Sequence, residues 1–309
     1  MTLMEQLRTN DEALNRTGHL FGMERLQRKE SDPGTYEALW HILSNLCNVG
    51  WEIGCKVSSS PIAVEGGDAL WALNLPTGEA ICVSRGITAH PGLLADMIKS
   101  LINLGYEDYP GFRQGDIFEN NDPHFGGIHL PDFDMAMPLF YGDKLVAWAS
   151  CVSHVSDCGA VTPGSVGFLN PDCYSDGLCI SMEKVGENDR FFPWYDMRIR
   201  SRTRTPDFVL GDARGRLAGC VAIRDRLIQV IDKYGLDFFM DATAEYVEDS
   251  RRYAVSRVKT QTVPGRARKS QFKDLAMKGK KALLGKQDVD CLFNLPMEME
   301  VKGDASVRF

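Results

Sequence analysis

Between about residues 35 and 49 the apolar residues Leu39, Ile42, Leu43 and Leu46 recur at helical spacing. The pattern carries on through Trp51 and Ile53, with Gly50 and Gly54 as weak points in the helix. Then the period shortens. Residues 68–75 run into Pro76-Thr-Gly78 and out through 79–84, which predicts strand, tight turn, strand. Pro91 opens a second helix, with Leu94, Met97, Ile98 and Leu101 on one face and Gly105 closing it. A short strand follows at 115–118, then a loop rich in Asn, Asp, Pro and Gly from 119 to 131. Two strands at about 132–140 and 145–155 flank Tyr141-Gly-Asp-Lys144. Residues 156–178 form a long Gly-, Pro-, Asp- and Ser-rich loop, a kind that in compact domains is usually functional or disordered; this one is expected to be ordered. From 209 to 260 the pattern is helical. Leu217, Val221, Leu227, Ile228 and Ile231 form one stripe, Gly235 stops it, and Phe239, Ala242, Tyr246 and Tyr253 form another.

These elements predict an α+β fold of antiparallel sheets and hairpins with a helical section at about 209–260. The expected organisation is an N-terminal arm or short helix (1–35), an α+β domain (36–208), the helical section, a basic linker (261–290) and the start of a further β segment (291–309). That last segment alternates like a hairpin around Gly303-Asp304 and stops at Phe309 with no capping segment, which reads as a domain cut short. Arg198, Arg200, Arg202 and Arg204 alternate as in a strand, placing four cations on one face for a partner or an anion.

The formal net charge of −7 argues against nucleic acid as the main partner, because phosphate binding wants a basic surface. No apolar run approaches the ~20 residues that span a bilayer. The charged N-terminus does not read as a signal peptide. Nine cysteines without a Cys-x-x-Cys pair fit reduced thiols in the cytoplasm.

The chemistry concentrates in Asn120-Asn-Asp-Pro-His-Phe-Gly-Gly-Ile-His-Leu-Pro-Asp132. His129 and Asp132 three positions apart are a weak signal alone. Hairpin geometry strengthens it. If the turn centres on Gly142 and Asp143, Asp132 falls opposite Ser153 and Pro131 opposite His154, and diagonal neighbours remain within reach. A register one residue different would change the face that His154 uses. His129, Asp132 and His154 then form a three-ligand set with open positions, suited to Mn(II), Fe(II) or Zn(II) and more often catalytic than structural. The competing reading is two surface or hydrogen-bonded histidines beside a turn. Asp122, His124 and Asp134 are candidates for acid/base or supporting roles, with loop capping as the alternative. Asp157 could orient His154, and His90 stands at a helix start as a further polar group. Gly126-Gly127 either admits a close backbone approach or only turns the chain. The chain has no phosphate-binding Gly-rich loop, no dinucleotide fingerprint and no Gly-x-Ser-x-Gly elbow.

The run Gly115-Asp-Ile-Phe-Glu-Asn-Asn-Asp-Pro-His-Phe-Gly-Gly-Ile-His-Leu-Pro-Asp132 closely resembles the hydantoinase B family, which includes acetone carboxylase alpha subunits and related acetophenone carboxylase subunits. Gly86-Ile-Thr-Ala-His-Pro-Gly92, Val152-Ser-His-Val-Ser-Asp-Cys-Gly159, Pro163-Gly-Ser165 and Ile180-Ser-Met-Glu-Lys-Val-Gly-Glu-Asn-Asp189 carry the same resemblance. It covers nearly the whole chain. It implies Mn(II), with Zn(II) or Fe(II) as alternatives, on His129, Asp132 and His154; Asp122, His124 and His90, taken from the residues themselves, are the catalytic candidates beside it. It also implies ATP on a hydantoinase A-like partner, a small additional subunit, and ketone and bicarbonate as substrates, with no nucleic acid or membrane involved. The implied activity is ATP-dependent carboxylation of a ketone. The alternatives are hydrolysis of a cyclic amide by a hydantoinase or oxoprolinase B-type subunit, and a non-catalytic assembly subunit. Members of that family run well past this length, so the resemblance also implies a fragment, a split subunit or a short paralogue.

Overall fold

The computed structural model describes residues 1–87, 90–164, 170–261, 268–279, 289–301 and 307–308, and side chains as far as residue 257. The chain divides into two compact units, Met1–Glu248 and Asp249–Phe309.

The first unit opens with helix α1 (Leu3–Thr17), where Thr2 and Glu5 satisfy each other's backbone donors in a capping box. A short helix, α2 (Gln27–Ser31), precedes α3 (Pro33–Val57), whose start is set by Pro33 and by Asp32 accepting from Thr35 N–H. The N-terminal stretch, expected as an arm or short helix, is largely helical. One turn, α4 (Pro61–Val64), leads into β1 (Ala69–Asn74) and β2 (Ala80–Val83). Then come α5 (His90–Asn103), β3 (Ile117–Asn120), β4 (Asp132–Tyr141) and β5 (Lys144–His154). Strands β6 (Glu183–Glu187) and β7 (Arg190–Phe191) precede three helices, α6 (Pro193–Arg202), α7 (Pro206–Tyr234) and α8 (Leu236–Gln261).

The first seven strands form one antiparallel sheet in the order β2-β1-β5-β4-β3-β6-β7. Its two faces are covered differently, and side-chain alternation sorts the residues. Trp71, Phe133, Met135, Ala149 and Cys151 pack toward α3 and α7. Leu70, Phe118, Ala136 and Trp148 lie in clusters with α5 residues Leu94, Met97 and Ile98. Burial on both sides explains why β1 and β4 read as almost continuous apolar runs.

Helices α3 and α7 approach through glycine. A Cβ on Gly54 would lie 2.1 Å from the Trp71 ring, and one on Gly219 would lie 2.3 Å from Trp71 Nε1. The glycines that weaken α3 as a sequence pattern are thus where the helices meet over Trp71. They also move the buried stripe of α7. It runs through Gly215, Gly219 and Ile223, while Leu217 and Val221 of the expected stripe are only half-buried.

The arginine run is a further correction. Residues 193–202 are helical, because Pro193 starts the turn and no β-branched run opposes it. Three of the arginines are paired off separately: Arg198 with Glu183, Arg200 with Asp196 and Asp207, and Arg204 with Asp157.

In the second unit β8 (Arg268–Gly279), β9 (Val289–Val301) and β10 (Val307–Arg308) pair antiparallel. The stretch expected as a basic linker thus carries a strand, since its lysines and arginines are interspersed with Phe272, Leu275, Ala276 and Met277. The turn at Gly303-Asp304 lies outside the described residues, as does Ser165. No helix among the described residues is long and apolar enough to cross a membrane.

Candidate metal centre

The β4–β5 hairpin sets the site. Near the turn the pairing is Tyr141 with Lys144 and Phe140 with Leu145, as a turn on Gly142 and Asp143 requires. The register then shifts, so that Leu139 faces Ala147 and Val146 is left as the extra residue of a bulge. From there to the end of the hairpin every pair is displaced by one, and Asp132 faces His154 instead of Ser153. Opposite residues share a face of the sheet, so both ligand candidates point to the α5 side.

His129 joins them from a short turn in which Asp132 N–H donates to His129 carbonyl at 2.9 Å. One ligand atom from each of His129, Asp132 and His154 lies within 4.8 Å of the others. His129 Nε2 is 3.2 Å from Asp132 Oδ2, and the two imidazole centroids are 5.1 Å apart. His129 is half-exposed, while Asp132 and His154 are buried, so the cluster opens toward solvent from one side. The bond to Asp132 raises the pKa of His129 above the ordinary histidine value. Burial lowers that of His154.

Two orphaned atoms belong to this cluster. His154 Nδ1 is buried with no hydrogen-bond partner, and so is Asp68 Oδ1. Asp68 immediately precedes β1, which pairs with β5, and its carbonyl accepts from His154 N–H at 3.0 Å. Its negative charge acts on His90, His129 and His154 alike. Buried polar atoms are rarely left unpaired, so an imidazole nitrogen and carboxylates converging this way suit a divalent cation.

Asp68 escapes sequence reading because β1 and β5 are joined by no local turn. Glu119 and Arg216 escape it too, because each stands among other polar and charged residues, Asp116 to Asp122 and Asp212 to Arg214, with nothing local to single it out; both are fully buried and paired at 2.6 Å. Asp134 is buried beside Asp132 with Oδ2 unpaired, and burial, then the Asp132 charge, hold its pKa well above the carboxylate range.

The other candidates separate. His90, the first residue of α5, is buried, and its charge interactions are with Asp132, Asp68 and His129; burial lowers its pKa. Asp122 accepts from Ser181 Oγ at 2.7 Å and from His124 N–H at 2.9 Å, so the capping role is realised. His124 is exposed. Asp157 binds Arg204, at 2.5 Å to the backbone N–H and 2.9 Å to Nη1, instead of His154. Gly126 admits a backbone, but that of α5: its Cβ would lie 2.5 Å from Leu93 carbonyl.

A model of the hydantoinase B/oxoprolinase family matches residues 32–309. The chain belongs to this family. Among its relatives is the acetone carboxylase alpha subunit of Xanthobacter autotrophicus, 30% identical over 298 residues, covering 96% of this chain and 38% of that protein. A putative D-/L-hydantoinase of a Pseudomonas species, in its B component, is 32% identical over 241 residues, 74% of this chain and 40% of its own length. A nucleotide-free structure of acetone carboxylase superposes with a TM-score of 0.90 at 30% identity, over 99% of this chain and 40% of that one. The family member described here thus spans about two-fifths of the length of these relatives.

Proposed function

We propose that this chain is the metal-bearing part of an ATP-dependent ketone carboxylase, which forms a carbon–carbon bond between an activated enol and carbon dioxide derived from bicarbonate. The observation that carries this reading is the convergence of His129, Asp132 and His154 on one face, with His154 Nδ1 buried and unpaired. The likeness to the acetone carboxylase alpha subunit supplies the reaction class. His129, Asp132 and His154 would hold the ion, Mn(II) first, with Zn(II) and Fe(II) also compatible with the donor set, and Asp68 offers a further oxygen. Such an ion supplies Lewis acidity toward an oxygen that gains negative charge.

The chain's own groups do the rest. Asp132 and Asp68 make a negative site that suits a cation, with Asp132, His154 and His90 buried and His129 half-exposed. His90, kept neutral by burial, can take up a proton at a ring nitrogen. Asp122 and His124 are the other acid/base candidates, and His124 is the one open to solvent. With no phosphate-binding loop of the usual kind in the sequence, ATP falls to a hydantoinase A-like partner, with a small additional subunit completing the complex in the cytoplasm.

Hydrolysis of a cyclic amide is the second reading, favoured by the likeness to the Pseudomonas hydantoinase. The same ligands would then serve a carbonyl under attack by water.

Elemental analysis of the purified chain tests the site. Near-stoichiometric manganese, iron or zinc is expected, and its loss in His129→Ala and in His154→Ala. A wild-type chain that takes up no metal even after loading overturns the reading in favour of an assembly subunit. Reconstitution with an ATP-binding partner then separates the two activities. Labelled bicarbonate entering an acid-stable product from a ketone is expected, whereas ring opening of a hydantoin without incorporation selects the hydrolase.

A further inference from the structure

Behind the sheet, on the side away from the ligands, lies a buried ion pair that the chemistry above leaves unused. Arg216 of α7 and Glu119 of β3 have fully buried side chains with Nη2 to Oε1 at 2.6 Å. The same guanidinium donates from Nη1 to Ser153 Oγ at 2.9 Å and reaches the Tyr195 hydroxyl at 3.5 Å. Its central carbon stands 5.3 Å from the centre of the Phe133 ring. Two of the strand partners adjoin residues of the site: Phe133 lies between Asp132 and Asp134, and Ser153 precedes His154. Glu119 stands on β3, which pairs with β4. Alternation puts these partners on the α3 and α7 face while Asp132 and His154 face α5. One side chain thus grips β3, β4 and β5 at the end from which the ligands project.

Stability does not account for this arrangement. Removing both charges from water costs about as much as their attraction returns, and well-packed apolar replacements of buried ion pairs are often neutral or stabilising. Here the cost is greater, because Glu119 Oε2 and Arg216 Nε are buried without partners. A planar fork with donors in fixed directions is, however, suited to holding three strands in one register.

We propose that Arg216 is a positioning residue for the metal centre: by tying Ser153 to Glu119 across Phe133 it fixes where His154 stands relative to Asp132. The inference rests on the metal reading given above. It extends the general behaviour of groups that support metal ligands, whose mutation typically costs about 10- to 100-fold in metal affinity or activity.

The test uses the full chain as a double variant, Arg216→Met with Glu119→Leu, beside Ser153→Ala. Thermal unfolding is measured without metal, and Mn(II) and Zn(II) affinities by titration calorimetry. The double variant is expected to unfold at or above the wild-type temperature and to bind metal on the order of 10-fold more weakly. Ser153→Ala is expected to lose affinity in the same direction, by less. A folded double variant with wild-type affinity overturns the positioning role. Should that variant fail to fold, Ser153→Ala decides: reduced affinity supports the role and wild-type affinity overturns it. A wild-type chain that binds neither ion overturns the metal reading and the positioning role with it, whereas wild-type binding with unchanged variants removes the positioning role alone.

Discussion

His154 owes its place beside Asp132 to one inserted residue. Without Val146 as the extra member of the bulge, Asp132 would face Ser153 and the imidazole would turn toward α3 and α7. Asp122 shows a residue-level effect of another kind. Partial burial pushes its carboxyl pKa up, but the bonds from Ser181 Oγ and His124 N–H, with the nearby His124 ring, outweigh this and leave it lowered. The folded chain therefore binds that proton less readily than the unfolded chain does. Its stabilisation is fully present above the ordinary carboxylate pKa, about 3.9, and is lost as pH falls through the lowered folded value. Acid titration followed by near-UV circular dichroism is expected to show a shallower loss of stability in Asp122→Asn than in wild type. An identical acid limb would mean that the Ser181 tie contributes nothing to folding.

At the scale of elements, the meeting of α3 and α7 over Trp71 is tightly constrained. Replacing a mid-helix glycine by alanine normally gains roughly 1 kcal/mol in helix propensity. At Gly54 the new Cβ would lie 2.1 Å from a fully buried indole, and overpacking of that kind costs about 1–3 kcal/mol or more. The clash wins, so Gly54→Ala is expected to lower the unfolding temperature. Gly92→Ala, in α5 with open space around it, is expected to raise stability by up to about 1 kcal/mol. Equal effects at the two positions would contradict the packing described. The same contrast shows what was legible beforehand. The α5 stripe Leu94, Met97, Ile98 and Leu101 is a single-helix property, and all four residues are fully buried. The importance of Gly50, Gly54, Gly215 and Gly219 is a property of two helices together, and each reads as a weakness alone.

For the whole molecule, every group of the centre lies within Met1–Glu248, as do the contacts that hold the first half of α8. Tyr246 hydroxyl donates to Tyr36 carbonyl at 2.5 Å, and Glu248 accepts from Leu20 N–H at 2.9 Å. A chain ending at Glu248 is therefore expected to retain the metal content of the full chain, as elemental analysis would read. Loss of metal on that truncation would make the centre depend on residues 249–309.

Local periodicity and turn chemistry determined much of this protein. The strand–turn–strand at 68–84, the α5 face, the hairpin around Gly142 and the helix stop at Gly235 each follow from residues a few positions apart, because backbone hydrogen bonding and side-chain direction repeat over that range. So does the proximity of His129 to Asp132, three residues away in one turn. What needed the tertiary structure lies farther apart in the chain. The bulge that aligns His154 with Asp132, the arrival of Asp68 beside them through β1, and the reach of Arg216 from α7 under three strands are set by packing between distant segments. Their partners are chosen by burial and by the need to satisfy polar groups away from water, and neither leaves a periodic trace in the order of the residues.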